Sequence, residues 1–325
     1  MTLWALVGAA LIFNFLNGLH DSANIVATVI SSRAMGGRVA LILTAVAEFS
    51  GPFLLGVAVA TTIGQGLVAS GSLTTSALLA AVIGGIVWNL ITWLASIPSS
   101  SSHALVGGLL GAVTVQAGWS AVEPRGLLLV LASLFLSPLL GLVAGYCVTR
   151  VIFRLAANAS PRINRVFQRA QILTAIALAL SHGANDAQKT MGVVALALVT
   201  TGTISQFQIP LWVMATCGAA LAIGTAVGGW RLIRTLGARF YRIRPVHGFA
   251  AQVTSTGVVL GAALLGGPVS TTQVVSTAIL GAGSAERLNK VRWGVAEHIV
   301  IAWLLTIPCT ATLSAGLTWL LNRFA

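Results

Sequence analysis

Charge is what this chain most lacks. Asp, Glu, Lys and Arg make up 7% of its 325 residues, against about 25% in an ordinary soluble protein, so a water-facing surface of usual composition is excluded. Acids are scarcer still, with six against 18 Lys and Arg. Cysteine is almost absent. Cys147, Cys217 and Cys309 stand singly in apolar stretches with no CxxC pair, which removes a disulfide framework and a thiolate zinc site and leaves packing roles. The first apolar run begins at Leu3 with no basic segment before it and flows into the polar stretch 17–24. That is unlike a cleavable signal peptide, and the run is read as part of the mature protein.

Apolar length is what the chain has in plenty. Hydrophobic residues make up 57% and the mean hydropathy is +0.94. Length alone would allow two soluble domains of about 150 residues each, but recurring apolar runs of about 20 residues make the bilayer the solvent. The predicted class is an all-α polytopic membrane protein. Its formal charge of +12 would suit nucleic acid in a soluble domain. Here the basic residues lie between apolar runs and read as cytoplasmic-loop charges, so nucleic acid is not an expected partner and the lipid bilayer is.

Long apolar segments fall at 3–30, 39–63, 75–97, 125–152, 171–200, 208–229, 246–266 and 292–322, with shorter ones at 103–117 and 273–283. As helices the short ones reach about 16–22 Å, less than the roughly 30 Å hydrocarbon core. Each follows a proline and a hydroxyl cluster, Pro98-Ser-Ser-Ser-Ser102 or Pro268-Val-Ser-Thr-Thr272, and is expected to form a re-entrant hairpin with the long segment before it. Arg33 and Arg38 share one loop, and Arg150, Arg154, Arg162, Arg165 and Arg169 mark the central one. Five arginines lie in 231–244, and Arg287, Lys290 and Arg292 follow the second short arm, whereas 64–74 and 201–207 have no basic residue. The positive-inside rule then gives three crossings per half, inverted halves and both termini outside. The expected division is a first repeat at 1–152, a cytoplasmic basic linker at 153–170 and a second repeat at 171–325.

Residue correspondences support the duplication. Gly18-Leu-His-Asp21 aligns with Gly183-Ala-Asn-Asp186, and Pro98, Ser100, Ser101 and Ser102 align with Pro268, Ser270, Thr271 and Thr272. Leu-Gly-Ala recurs at 110–112 and 280–282, and Asp and Pro are 77 residues apart in one half and 82 in the other. Inverted repeats with polar breaks at matched places point to a secondary transporter with a site near the midplane. Gly18 and Gly183 are expected to permit an unwound turn, giving a broken helix in each half.

Asp21 and Asp186 fall within apolar segments, where a carboxylate costs at least about 2.5–3.5 kcal/mol, so function is favoured over a mere helix pin. Glu48 and Glu297 also lie in apolar segments but lack mates. Asn17, Asn24 and Asn185 surround the aspartates and with them suggest a cation cage, although each alone is equally a structural hydrogen-bonding residue. Ser100, Ser101, Ser102, Ser270, Thr271 and Thr272 are placed to cap helix N-termini, where hydroxyls and unpaired N–H groups would hold an oxyanion. Lys189 reads as a charge partner of Asp186 or a contact to the anion, with pairing favoured. His20, His103 and His182 read first as hydrogen-bonding residues and second as proton carriers. Two aspartates beside an anion repel it unless cations or protons bind too, which is symport logic.

At these motifs the chain resembles the inorganic phosphate transporter (PiT) family. The likeness rests on Asn17-Gly-Leu-His-Asp-Ser-Ala-Asn24, Pro98-Ser-Ser-Ser-Ser-His-Ala104, His182-Gly-Ala-Asn-Asp-Ala-Gln-Lys-Thr190 and Pro268-Val-Ser-Thr-Thr-Gln273. The resemblance implies import of inorganic phosphate coupled to sodium or protons, through the inner or plasma membrane, with no cofactor beyond the co-transported ion. The paired Asp motifs and hydroxyl-rich tips would form the transport site, with His20, His103, Lys189 and Gln273 as accessories and a second copy of the chain as an optional partner. His20 stands where many relatives have Asn, which tilts the balance toward protons, and Gln273 where many have His, which breaks the match with His103. Relatives of similar sequence carry sulfate or metal-phosphate complexes. Of other classes, an intramembrane hydrolase using Ser101 or Ser102 with a His base does not call for duplicated tips, and a passive anion channel does not call for buried carboxylates.

Overall fold

The computed structural model describes residues 2–69, 71–234 and 243–324. Twelve α-helices run through them: α1 (Thr2–Ser31), α2 (Gly37–Leu55), α3 (Ala58–Thr61), α4 (Thr75–Leu94), α5 (Ser101–Ala117), α6 (Pro124–Leu155), α7 (Ile163–Thr200), α8 (Leu211–Val227), α9 (Trp230–Arg234), α10 (Pro245–Leu264), α11 (Thr271–Glu286) and α12 (Trp293–Phe324). Arg239 and Arg242 of the basic stretch 231–244 lie outside the described residues.

Among the described residues, α1, α2, α4, α6 and the Ile299–Arg323 part of α12 are long and apolar enough to cross a membrane. The sequence suggested eight long segments. The shortfall is in the second half. There α7 carries His182, Asn185, Asp186, Gln188 and Lys189 along one stretch, α10 carries His247, Gln252, Thr254 and Ser255, and α8 is only 17 residues long. Large apolar side chains are turned outward, among them Leu128, Phe135, Leu139 and Val143 of α6 and Ile301 and Leu304 of α12. Asn14, Asn17, Gln171, Gln188 and Gln252 are buried. That inside-out distribution suits lipid outside and polar partners within.

Three boundaries differ from the sequence reading. The segment 39–63 is not one helix, because α2 stops at Leu55 and Gly56 takes φ 84°. Gln188 of α7 fills that break, its amide donating to the Gly56 carbonyl and its Oε1 accepting from Val59 N at 2.9 Å. The flanking helices run further than the apolar segments 125–152 and 171–200, so that only 156–162 lies between α6 and α7. The broken helices are not observed either: α1 and α7 continue through Gly18 and Gly183. A Cβ at Gly18 would strike the Leu221 carbonyl of α8, and one at Gly183 the Glu48 carbonyl of α2. These glycines allow backbones to meet at close range rather than to unwind.

Irregular backbone occurs instead at the hairpin tips, residues 95–100 between α4 and α5 and 265–270 between α10 and α11. Proline at 98 and 268 disfavours helix in the residue before it, and a serine restarts the chain in each tip. Ser100 accepts from His103 N and Ser270 from Gln273 N, each capping the helix that follows. Packing then repeats across the halves. Helix α1 lies on α8 and α4, as α2 lies on α7 and α7 on α10; α4 pairs with α5 as α10 with α11. The short helices cross over, α5 resting on α12 and α11 on α6.

Candidate functional site

An intact α1 and an intact α7 each project one aspartate into the space below the second tip. Thr271, the first residue of α11, reaches both: its hydroxyl is 2.7 Å from Asp186 Oδ2 and 3.4 Å from Asp21 Oδ2. Thr272 donates to Asp21 Oδ1 at 2.7 Å, and Asn24 Nδ2 donates to the same oxygen at 2.7 Å and to the Thr272 hydroxyl at 3.0 Å. The first tip enters through Ser102, which donates to the Val269 carbonyl of the second tip at 3.0 Å and accepts from Lys189 Nζ at 2.5 Å. Lys189 also pairs with Asp186 Oδ1 and donates to the Val269 carbonyl at 2.7 Å. The two tips therefore touch, with both aspartates beneath the junction.

His182 joins the cluster more closely than its sequence context suggested. Its Nε2 is 2.7 Å from Asp186 Oδ2 and 3.5 Å from Asp21 Oδ2, and its Nδ1 is 2.7 Å from Glu48 Oε1. Glu48, unmated in the sequence, thus has its partner on the other half of the chain. The signal that could have found it was the buried Glu itself, since a fully apolar surrounding would not tolerate it. Glu297 is exposed and stands apart. Asp21, His182 and Asp186 form the one group of acidic, His or Cys side chains among the described residues with the spacing of a metal site, and all three are closed off from solvent.

Other expected residues are placed differently. Asn185 faces the second tip, donating to the Gly267 carbonyl at 3.1 Å and accepting from Val269 N at 3.3 Å. It fixes tip backbone instead of lining the carboxylates. Asn17 is buried one helical turn before Asp21, and its Oδ1 has no hydrogen-bond partner among the described residues. His20 Nδ1 is 3.9 Å from Asp21 and its Nε2 is 3.4 Å from Thr92. His103 bonds the Ser100 hydroxyl at 2.7 Å and packs on Phe135, away from the aspartates. Ser101 and Gln273 are buried at the starts of α5 and α11. The tip carbonyls nearby are already engaged, Val269 by Ser102 and Lys189 and Gly267 by Asn185.

This arrangement concentrates carboxylates, an ammonium, hydroxyls and two helix N-termini in a dehydrated centre. The first amides of α5 and α11 have no intrahelical acceptor, which suits an oxyanion. The carboxylates and amide oxygens suit a hard cation. Fold and site together define a polytopic helical membrane protein with an ionisable centre at depth.

Comparison with known proteins gives the family. The model of the phosphate transporter family matches residues 17–314. A probable low-affinity inorganic phosphate transporter of Rhizobium meliloti is 41% identical over 95% of this chain and 93% of its own length. A protein of the same description from Bacillus subtilis is 41% identical over 98% of this chain and 96% of its own length. A solved structure titled the sodium-dependent phosphate transporter superposes with a TM-score of 0.91 at 26% identity, covering 100% of both chains. The chain belongs to the phosphate transporter family, and it is a multi-pass membrane transporter rather than an enzyme.

Proposed function

We propose that this chain imports inorganic phosphate across the cell membrane as a symporter, coupled to sodium or protons, by alternating access. The observation that carries the reading is Thr271, one hydroxyl at the second tip shared between the aspartates of both halves. Lys189 offsets the charge of Asp186 alone, so the remaining carboxylate opposes an incoming anion in a low-dielectric site, and phosphate and cation bind together. Asp21, Asn24 and Asn17 supply oxygens for the cation. Phosphate lies against the first amides of α5 and α11, beside Ser101, and on binding draws to itself the hydroxyl protons that Ser102, Thr271 and Thr272 otherwise give to the Val269 carbonyl, Asp186 and Asp21. Ser100 and Ser270 hold the two helix starts in place, and His103, Gln273 and Asn185 support the tips from behind.

The matched packing of the two halves supports a duplication of 1–152 and 171–325, and the distribution of basic loops supports its inversion, with each hairpin entering and leaving on one face and both termini outside. The solved relative is titled as sodium-dependent, which supports a cation-coupled cycle here. Phosphate is favoured over sulfate because at neutral pH it retains a proton it can donate to a carboxylate. Sulfate only accepts, and polar mismatch of that kind discriminates strongly. The test is uptake of labelled phosphate by purified protein in liposomes. Accumulation above equilibrium with an inward sodium or proton gradient, and none without, is expected. Equilibration without a gradient would make it a channel, and competition by sulfate as effective as that of unlabelled phosphate would remove the substrate assignment.

A further inference from the structure

The two aspartates occupy matched positions, yet the residue three places on differs: Asn24 after Asp21, Lys189 after Asp186. Both side chains make the same kind of bridge. Asn24 links Asp21 Oδ1 to the Thr272 hydroxyl, and Lys189 links Asp186 Oδ1 to the hydroxyl of Ser102, which aligns with Thr272 in the repeat. Each bridge runs from an aspartate of one half to the tip of the other. The difference is charge. An ammonium has three donors and no acceptor, and Lys189 directs them at a carboxylate, a hydroxyl and the Val269 carbonyl. Three hard oxygens of those kinds are what a bound alkali cation collects.

The Asp21 side has no such fixed charge. Asn24 bridges it with a neutral amide, and Asn24 Oδ1 is buried with no hydrogen-bond partner among the described residues, as is Asn17 Oδ1 one turn earlier. An acceptor left open beside a carboxylate calls for a cation, whereas the matched place beside Asp186 already holds one that cannot leave. The histidines do not reverse this difference: His182 sits nearer Asp186, at 2.7 Å, than Asp21, at 3.5 Å, and His20 is 3.9 Å from Asp21.

We propose that Lys189 is a tethered counter-ion holding the place of a mobile cation beside Asp186, so that this chain couples each phosphate to a single mobile cation, bound by Asp21 and Asn24. The inference rests on the symporter reading above and fixes its stoichiometry. It also explains why the hydroxyl tips are chemically matched while the two sides of the site are not electrically matched.

The test measures how far a known gradient drives phosphate, using purified protein in liposomes with the membrane potential clamped at zero. A tenfold sodium gradient, or a tenfold proton gradient with each phosphate species counted separately, should concentrate phosphate about tenfold with one coupled cation and about a hundredfold with two, since each tenfold adds one increment of 1.4 kcal/mol. Wild type is expected to reach the first limit. Lys189→Asn, which installs the amide found at position 24, is expected to reach the second, and Asn24→Lys to lose dependence on any cation gradient. Accumulation beyond the first limit by wild type overturns the inference, as does Lys189→Asn transporting actively with unchanged stoichiometry. If neither variant inserts, the wild-type limit alone decides. A wild type that accumulates nothing under either gradient defeats the symporter reading itself, and this inference with it.

Discussion

At the scale of single residues, the centre is held by few contacts, and each can be removed with little change of shape. Asp21→Asn or Asp186→Asn deletes a charge while keeping side-chain size. Each is expected to lower gradient-driven uptake by more than about tenfold while the protein still inserts and elutes as a single peak; near-normal coupled uptake would reduce that aspartate to a structural pin. Thr271→Ala with Thr272→Ala removes hydroxyls that Asp21 and Asp186 accept from and that, in the proposed cycle, turn to the dehydrated phosphate. A buried group left unpaired costs about 1–3 kcal/mol, so apparent phosphate affinity should fall by about 5- to 150-fold, read from the substrate dependence of uptake. Glu48→Gln tests the contact with His182, 2.7 Å away. Loss of that charge leaves His182 facing only the aspartates, and uptake should fall with insertion unchanged. The aspartates, the tip hydroxyls and Lys189 were legible in the sequence because polar residues stand out in apolar segments and here recur in duplicate. Glu48 stood out in the same way, but its pairing with His182 did not, because the two are brought together by packing between α2 and α7, for which a single chain offers no periodic signal.

At the scale of elements, helix and tip have exchanged the roles the sequence suggested. Glycine beside an aspartate in an apolar segment reads as a place to unwind, and proline with serines as a turn; only the second reading matches the structure. Gly18 and Gly183 instead let α1 meet α8 and α7 meet α2 backbone to backbone, a distinction invisible without the neighbouring helix. Gly183→Val should therefore act through packing. Overfilling a tight contact costs about 1–3 kcal/mol, visible as a lower melting temperature in detergent even in the absence of phosphate. Ser100→Ala and Ser270→Ala remove the helix caps and should each cost about 1 kcal/mol, with the tip amides misplaced and phosphate affinity reduced.

At the scale of the molecule, the proposed orientation rests on loop charge, and the packing between early and late helices bears on assembly. With the native cysteines replaced, Thr203→Cys and Ser160→Cys should label from opposite faces of the membrane; labelling from one face would refute the proposed topology. The crossed packing, α5 on α12 and α11 on α6, has a consequence for synthesis. Asp21 is bound by a hydroxyl 251 residues further along the chain, which at about 5–20 residues per second emerges on the order of ten seconds or more later. Through that interval α1 carries an acid with no mate, and the first half has no last helix of the second to rest its hairpin on. Neither half is then a folding unit. Expressed alone, each should be degraded, whereas the two expressed together as separate chains should find one another in the membrane and transport, because everything that completes one half is carried by the other.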